Sequence, residues 1–271
     1  MASVKKVRAD ELLFVQGKAE SRSQAKILIM AGKVRSGKDS VIQKPAQLIP
    51  EDTELWVENP PRFVSRGGEK LAGAIEKFSI DVAGSYALDV GASTGGFTDC
   101  LLQNGAEAVT CIDVGHGQLH FKLRSDSRVS NFEKVNARAL DSVELPRESY
   151  DFDVGDLSFI SLTKILIPSW NRVSEGGALI MLIKPQFEAT REEVSRGNGI
   201  IRDEKIHRRV VEEVLQFCKE HLSGFKLIGL CDSPILGGDG NKEFLFYARK
   251  LKKLEAEDSE SPAEVPVLPV G

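Results

Sequence analysis

Five short apolar runs, at 86–90, 108–114, 131–135, 152–156 and 178–183, punctuate the middle of this chain. Each has the length and near-continuous apolar character of a strand buried on both faces. Between them, 97–104 and 160–173 carry apolar residues at helical spacing, and 116–125 does so more weakly. Strand alternating with helix predicts a doubly wound, mostly parallel α/β sheet. Upstream, 63–71 leads into a helix running to about Lys77. Downstream, Ile206, Val210, Val214, Phe217, Cys218 and Leu222 share one stripe of an amphipathic helix over 203–222. Two closing strands follow, at 225–230 and 243–249, around the loop 231–242.

The first 58 residues follow a different rhythm. Residues 9–16 are helical in pattern, with Leu12, Leu13 and Val15 apolar. The stretch 21–32 reads as a second helix, capped by Ser21 or Ser23 and ended by Gly32. Short strands are expected at 33–35, 41–42 and 55–57. The pattern predicts a small α+β module over 5–58, a linker over 59–64 and a larger α/β domain over 65–250. The linker opens with Asn59-Pro-Pro-Arg62, which the two prolines hold extended. That sequence mimics an amino-methyltransferase motif but lacks its aromatic and precedes the glycine turn, so it reads as linker. Residues 251–271, rich in Glu, Pro and Ser, are expected to be disordered.

Composition narrows the class. The chain has 271 residues, 41% of them hydrophobic, enough for a proper core. No run approaches the ~18 apolar residues of a membrane span, and the N-terminus lacks the apolar stretch of a signal peptide. Cys100, Cys111, Cys218 and Cys231 show no metal-ligand spacing and read as reduced thiols of a cytoplasmic protein. His116 and His120 stand at i, i+4 with no third ligand nearby, so no metal is expected. The net charge of −4 hides an asymmetry: residues 1–50 hold ten Lys and Arg against four acids, whereas 254–271 hold five acids and no base. A basic head points to a polyanion partner.

The chemistry centres on Ala87-Leu-Asp-Val-Gly-Ala-Ser-Thr-Gly-Gly-Phe97, a strand, a tight turn and a helix start. Its glycines, Gly91, Gly95 and Gly96, do not fall as in a dinucleotide fingerprint, and Ser93 takes the middle glycine's place. The turn therefore suits a smaller nucleoside ligand. Asp113 ends the next apolar run, near the ~20-residue offset of a ribose-binding carboxylate. Adenosine with a short zwitterionic tail fits, which makes S-adenosylmethionine the expected cofactor. Asp89, Gly91, Ser93, Thr94, Gly95, Gly96, Phe97, Asp113, Asn136 and Asp156 are its candidate ligands. Ligands of open α/β sheets sit outside the carboxyl ends of the strands, where Asp89, Asp113, Asn136, Asp156 and Lys184 all fall.

Two resemblances sharpen this reading. Arg8-Ala-Asp10, Ser21-Arg-Ser-Gln-Ala-Lys26 and Gly32-Lys-Val34 resemble the S-four-type RNA-binding domain of a small-subunit ribosomal protein. One departure is Arg35-Ser-Gly-Lys38, where a valine-asparagine-glycine turn is usual. The resemblance, together with the basic head, makes Arg8, Lys18, Arg22, Lys26, Lys33 and Arg35 candidate RNA contacts, joined by Arg66 of the larger domain.

The second runs through Ser65-Arg-Gly-Gly-Glu-Lys-Leu71, Asp89-Val-Gly-Ala-Ser-Thr-Gly-Gly-Phe-Thr98, Asp113-Val-Gly-His-Gly-Gln-Leu119, Asp156-Leu-Ser-Phe-Ile-Ser161, Lys184-Pro-Gln-Phe-Glu188 and Asn241-Lys-Glu243. Over about 5–250 the chain closely resembles the TlyA (haemolysin A) family, an S-four-type domain joined to an FtsJ-like methyltransferase. His116 stands where an aromatic is more usual. The resemblance implies a Rossmann-like class I methyltransferase fold with a mostly parallel seven-stranded sheet. It also implies a Lys-Asp-Lys-Glu tetrad at Lys70, Asp156, Lys184 and Glu243, and methyl transfer to the 2′-hydroxyl of a cytidine in ribosomal RNA. Two lysines and two carboxylates sum to zero charge, which lets the group be partly buried. Lys184 then either takes the hydroxyl proton or steers the hydroxyl. The rival classes are a membrane-active haemolysin-like protein and a catalytically silent RNA-binding regulator.

Overall fold

A computed structural model describes residues 5–19, 21–36, 40–58 and 62–252. The chain divides into two compact units, Met1–Pro61 and Arg62–Gly271. The tail expected to be disordered lies outside the described residues from 253 onward, as do 59–61 of the linker and 37–38 of the departing turn.

In the first unit, strand β1 (Lys6–Arg8) leads directly into helix α1 (Ala9–Val15), followed by α2 (Arg22–Met30). The Ser21 hydroxyl accepts the Gln24 amide at 3.1 Å, so Ser21 rather than Ser23 caps α2. Strands β2 (Val34–Ser36), β3 (Ser40–Val41), β4 (Leu48–Pro50) and β5 (Leu55–Val57) complete the unit. β2 pairs antiparallel with β3 and β5, and β1 pairs with β4. Ala9, Leu13, Ala25, Ile29, Val34 and Leu55 meet in its core. β1 and β4 are too short to show a period of two, which is why patterning misses them.

The second unit opens with α3 (Gly67–Phe78), then β6 (Tyr86–Val90), α4 (Gly96–Gln103), β7 (Ala108–Asp113), α5 (Phe121–Arg124), β8 (Val129–Glu133) and β9 (Tyr150–Gly155). It continues with α6 (Leu166–Arg172), β10 (Val173–Ile183), α7 (Pro185–Glu188), α8 (Arg191–Arg196), α9 (Glu204–His221), β11 (Phe225–Asp232) and β12 (Phe244–Lys250). Seven strands form one sheet in the order β11-β12-β10-β9-β6-β7-β8. β12 runs antiparallel to both neighbours, and the pairs among β10, β9, β6, β7 and β8 are parallel. This is the Rossmann-like methyltransferase sheet.

Alternation along the central strands builds two cores. Ile180, Leu182, Leu245 and Tyr247 face α3 and α4, where Leu71, Ala74, Cys100 and Leu101 meet them. Leu179, Met181, Phe244 and Phe246 face α6 and α9, against Trp170, Val210, Val214 and Cys218. Because successive side chains point to opposite faces, one apolar run serves both layers.

Among the departures from the patterning, three have a local physical cause. The helix expected over 160–173 is a 3-10 turn at Leu162–Lys164 followed by α6. Pro168 falls in the first turn of α6, where its missing N–H costs nothing; a helix running through it from 160 would lose a bond. The segment 116–125 yields only the single turn α5, because Gly117 takes a left-handed φ of +67° just before it. β10 begins at Val173, ahead of the expected start, with a register shift before Ala178.

Candidate active site

The strand order reverses between β6 and β9, so the crevice at their carboxyl ends is the natural ligand site of this sheet. There the chain brings together Lys70 from the first turns of α3, Asp156 just after β9, Lys184 just after β10 and Glu243 just before β12. Lys70 Nζ lies 2.7 Å from Glu243 Oε2 and 3.1 Å from Asp156 Oδ2. Lys184 Nζ lies 2.5 Å from Asp156 Oδ1 and donates to Ser158 Oγ at 2.8 Å. The four residues of the implied tetrad thus form a linear run of ion pairs, Glu243–Lys70–Asp156–Lys184. The side chain of Glu243 is 2% exposed and those of both lysines 9%. Alternating charge lets such a group leave water without a stranded ion. The loop before β12 closes over it: a Cβ at Gly237 would stand 2.5 Å from Glu243 Oε1.

Two cavities meet beside this run. One, of about 160 Å³, is lined by Asp89, Gly91, Ser93, Thr94, Gly96, Phe97, Asp156 and Lys184, with Ser65 and Ser158 among the rest. Asp89 is fully buried. Its Oδ2 accepts both the amide and the hydroxyl of Thr98, at 3.0 and 2.6 Å, while Oδ1 has no partner. One first-turn amide of α4 is therefore spent on Asp89 and not aimed at a ligand. Burial pushes the Asp89 carboxyl up to about 7 despite these donors. The second cavity, of about 580 Å³, shares Gly91, Ser93, Asp156 and Ser158 with the first. It carries Asp113 and Asn136 beside the apolar Ile112, Val135, Leu157 and Ile160.

Asp113 accepts the Ser93 amide at 2.7 Å and the Gly115 amide at 2.6 Å, which ties the glycine turn to the loop after β7. Asn136 Oδ1 accepts the Arg138 amide at 3.1 Å. The residues fit S-adenosylmethionine. An unpartnered buried carboxylate oxygen on the small cavity suits an ammonium, and an apolar slot with an acid on its wall suits a nucleoside. Gly95 lines neither cavity: it caps α4 at φ +91°, and a Cβ there would meet Leu123 Cδ1 at 2.2 Å. Ser65, Gln118, Leu157, Ser158 and Phe159 line the cavities without having been singled out from sequence. All five stand inside the quoted motifs 65–71, 113–119 and 156–161, which were the available signal.

The candidate RNA contacts divide. In the first unit Arg8 donates two bonds of 2.9 Å to the buried Asp10, and Arg22 reaches the same carboxylate at 3.7 Å. Lys18 and Lys26 are exposed, the former 5.8 Å from the Trp56 ring, and Lys33 is half-buried. Arg35 pairs with Glu58 at 2.5 Å. Arg66, in the second unit, donates to the Leu236 carbonyl and so braces the loop before β12. Arg62, Phe63 and Val64, expected as linker, pack on the second unit: Val64 N donates to Asp99 Oδ2 at 2.8 Å, and Phe63 is buried against Gly68.

Residues 63–250 match the FtsJ-like methyltransferase family. The 16S/23S rRNA (cytidine-2'-O)-methyltransferase TlyA of Mycobacterium tuberculosis is 42% identical, over 90% of this chain and 90% of that protein. Hemolysin A of Brachyspira hyodysenteriae is 41% identical, over 89% of this chain and 99% of that protein. The solved structure of a Streptococcus thermophilus protein described as a hemolysin superposes with a TM-score of 0.68 at 43% identity, covering 92% of this chain and 90% of that one. With its sheet, its glycine turn and these relatives in agreement, the chain belongs to the FtsJ-like methyltransferase family, beside the TlyA and hemolysin A proteins.

Proposed function

We propose that this protein transfers a methyl group from S-adenosylmethionine to the ribose 2′-hydroxyl of a cytidine in ribosomal RNA, acting in the cytoplasm where that RNA is assembled. The observation that carries this reading is the buried ion-pair run Glu243–Lys70–Asp156–Lys184 beside the two cavities of the glycine turn. Bound there, S-adenosylmethionine supplies a methyl already activated by its sulfonium, so transfer calls for positioning and proton removal and for no metal.

In this reading Asp113 and Asn136 hold the nucleoside, and Asp89 Oδ1 takes the ammonium of the amino-acid tail. Lys184, held by Asp156 and Ser158, orients the acceptor hydroxyl and takes up its proton as the C–O bond forms and the methyl–sulfur bond breaks, the charge it gains being balanced by Asp156. Lys70 and Glu243 fix Asp156, and through it Lys184, in one geometry. The first unit serves as an S-four-type docking module that holds RNA by its phosphates, with Arg8, Arg22 and Lys26 in front. Among the described residues no helix is long and apolar enough to cross a membrane, and nothing in the site favours a lytic reading.

The test is mass mapping of ribosomal RNA from cells lacking this protein, restored with wild type or with Lys184→Ala. The expected result is one or more cytidines that lose a methyl in the deletion, regain it with wild type, and fail to regain it with the variant. In vitro, Lys184→Ala should bind cofactor and RNA normally yet lose at least ~10²-fold in rate, the lower range for a positioned acid–base group. Unchanged ribosomal RNA in the deletion would reject the function.

A further inference from the structure

The loop that carries Asp156 is tied down at its far end by a residue that none of the roles above uses. Glu188 ends α7, the one-turn helix that begins immediately after Lys184. Its carboxylate accepts the Ser161 hydroxyl at 2.6 Å and the Leu162 amide at 2.7 Å. Ser161 in turn meets the Thr163 hydroxyl at 2.8 Å. The same helix sets the Phe187 ring 5.3 Å from that of Phe159. Phe159 sits at φ +64°, a left-handed conformation that bulky residues rarely take, and is 91% exposed. Such a backbone persists only where its surroundings over-determine it.

Loop 156–161 is therefore held to the segment after β10 at three places. Asp156 and Ser158 both engage Lys184, Phe159 lies against Phe187, and Ser161 with Leu162 engages Glu188. Burial pushes the Glu188 carboxyl above the ordinary glutamate range, against the pull of its two donors, and Lys164 and Glu213 are the charged groups that act on it. Glu188 lines neither cofactor cavity.

We infer that Glu188 is a positioning residue for methyl transfer. Acting through Ser161 and Leu162, it fixes the Asp156–Ser161 loop on the segment that carries Lys184, so that Lys184 meets Asp156 and Ser158 in a single arrangement. The inference rests on the function proposed above. A displacement of about 1 Å in such a site can cost on the order of 10²-fold in rate.

The experiment compares wild type, Glu188→Ala, Glu188→Gln, Ser161→Ala and the Glu188→Ala/Ser161→Ala double variant. Each is assayed for methyl transfer from labelled S-adenosylmethionine to ribosomal subunits from cells lacking the protein. Cofactor affinity and Tm are recorded on the same preparations. Glu188→Ala should lower kcat roughly 10- to 100-fold at unchanged cofactor affinity. Glu188→Gln, which keeps an acceptor for one donor, should recover most of that loss. The double variant should be no slower than Glu188→Ala, because both changes cut the same link. Wild-type kcat in Glu188→Ala, a loss that merely follows cofactor affinity, or independent multiplying losses in the double variant would each overturn the inference. Where Glu188→Ala does not fold, Ser161→Ala decides: a lowered kcat supports the role, and a wild-type kcat overturns it. A wild-type protein inactive on every ribosomal substrate would instead strike the proposed function itself.

Discussion

Lys70 and Glu243, brought together from the start of the α/β unit and from the residue before its last strand, form an ion pair of 2.7 Å with the carboxylate 2% exposed. Lys70 also reaches Asp156, whereas Lys184 has Asp156 as its carboxylate partner. Lys70 is therefore the inner link of the run and Lys184 its outer end. Removing Lys70 leaves Asp156 with Lys184 but strands the buried Glu243 carboxylate without a cation.

Lys70→Met should consequently destabilise the protein by roughly 3–5 kcal/mol, the usual cost of breaking a buried pair from one side. Lys184→Met should cost less, since Asp156 keeps Lys70. Urea unfolding of the two variants at neutral pH checks the order. Equal losses would show that the four residues do not form the linear run described.

Much of this site was legible before the structure, for an identifiable reason. The central strands are apolar runs bounded by sharp turns, so a polar residue such as Asp156 or Lys184 at a run's end marks the sheet's carboxyl edge. Strand end and residue type could not say which lysine met which acid. That pairing depends on Lys70 and Glu243, which lie on a helix and just before a closing strand far away in sequence, and only the family resemblance grouped them. Glu188 left only its place at the end of the Lys184–Glu188 motif as a signal, and nothing in the sequence paired it with Ser161 and Leu162. Arg35 and Arg66 read as free cations in the sequence, but they are committed to Glu58 and to the Leu236 carbonyl.

Asp113 tests the nucleoside cavity. Asp113→Ala removes the proposed ribose contact and also releases the Ser93 and Gly115 amides that its carboxylate holds. Binding of S-adenosylmethionine should weaken by about 1.5–3 kcal/mol, the scale of a hydrogen bond to a charged group. Calorimetry returning wild-type affinity would remove Asp113 from the cofactor site.

Asp153 gives a pH dependence with a definite sign. It sits fully buried within β9, with the Ser169 hydroxyl beside it pulling its carboxyl the other way. Burial holds its carboxyl well above the ordinary range. A folded-state value above the unfolded one, about 3.9, means that the folded chain keeps a proton the unfolded chain has lost. The stability this proton provides is full below the unfolded value and is lost as pH climbs toward the folded one. Asp89 acts in the same direction up to about 7. Asp153→Asn, a neutral stand-in for the protonated acid, should gain stability over wild type as pH rises from about 5 toward neutrality. A stability difference that stays flat across that range would mean that Asp153 is ionised in the folded protein.

The head of the chain supplies the last test. Arg8 and Arg22 converge on Asp10, a carboxylate with no exposure of its own, so one buried acid presents two half-exposed guanidinium groups side by side. Arg8 above all, and Arg22 with it, hold Asp10 below the ordinary aspartate range, so it stays charged and keeps them in place. Lys26 projects from the helix that bears Arg22, one turn further along. In the proposed docking role such a surface would contact phosphates rather than bases, so binding should be salt-dependent and tolerant of sequence. Replacing Arg22 and Lys26 together by alanine should weaken binding to ribosomal RNA and flatten its salt dependence. The log–log slope should fall by roughly 0.7 for each single-strand phosphate that the variant no longer neutralises. Cofactor affinity should not move. A chain beginning at Arg62, shown to be folded by circular dichroism, should still bind S-adenosylmethionine but no longer methylate ribosomal subunits at low enzyme concentration. If that shortened chain modifies its site as fast as the full one, the paired arginines are ordinary solvated charges and RNA is held by the methyltransferase unit alone.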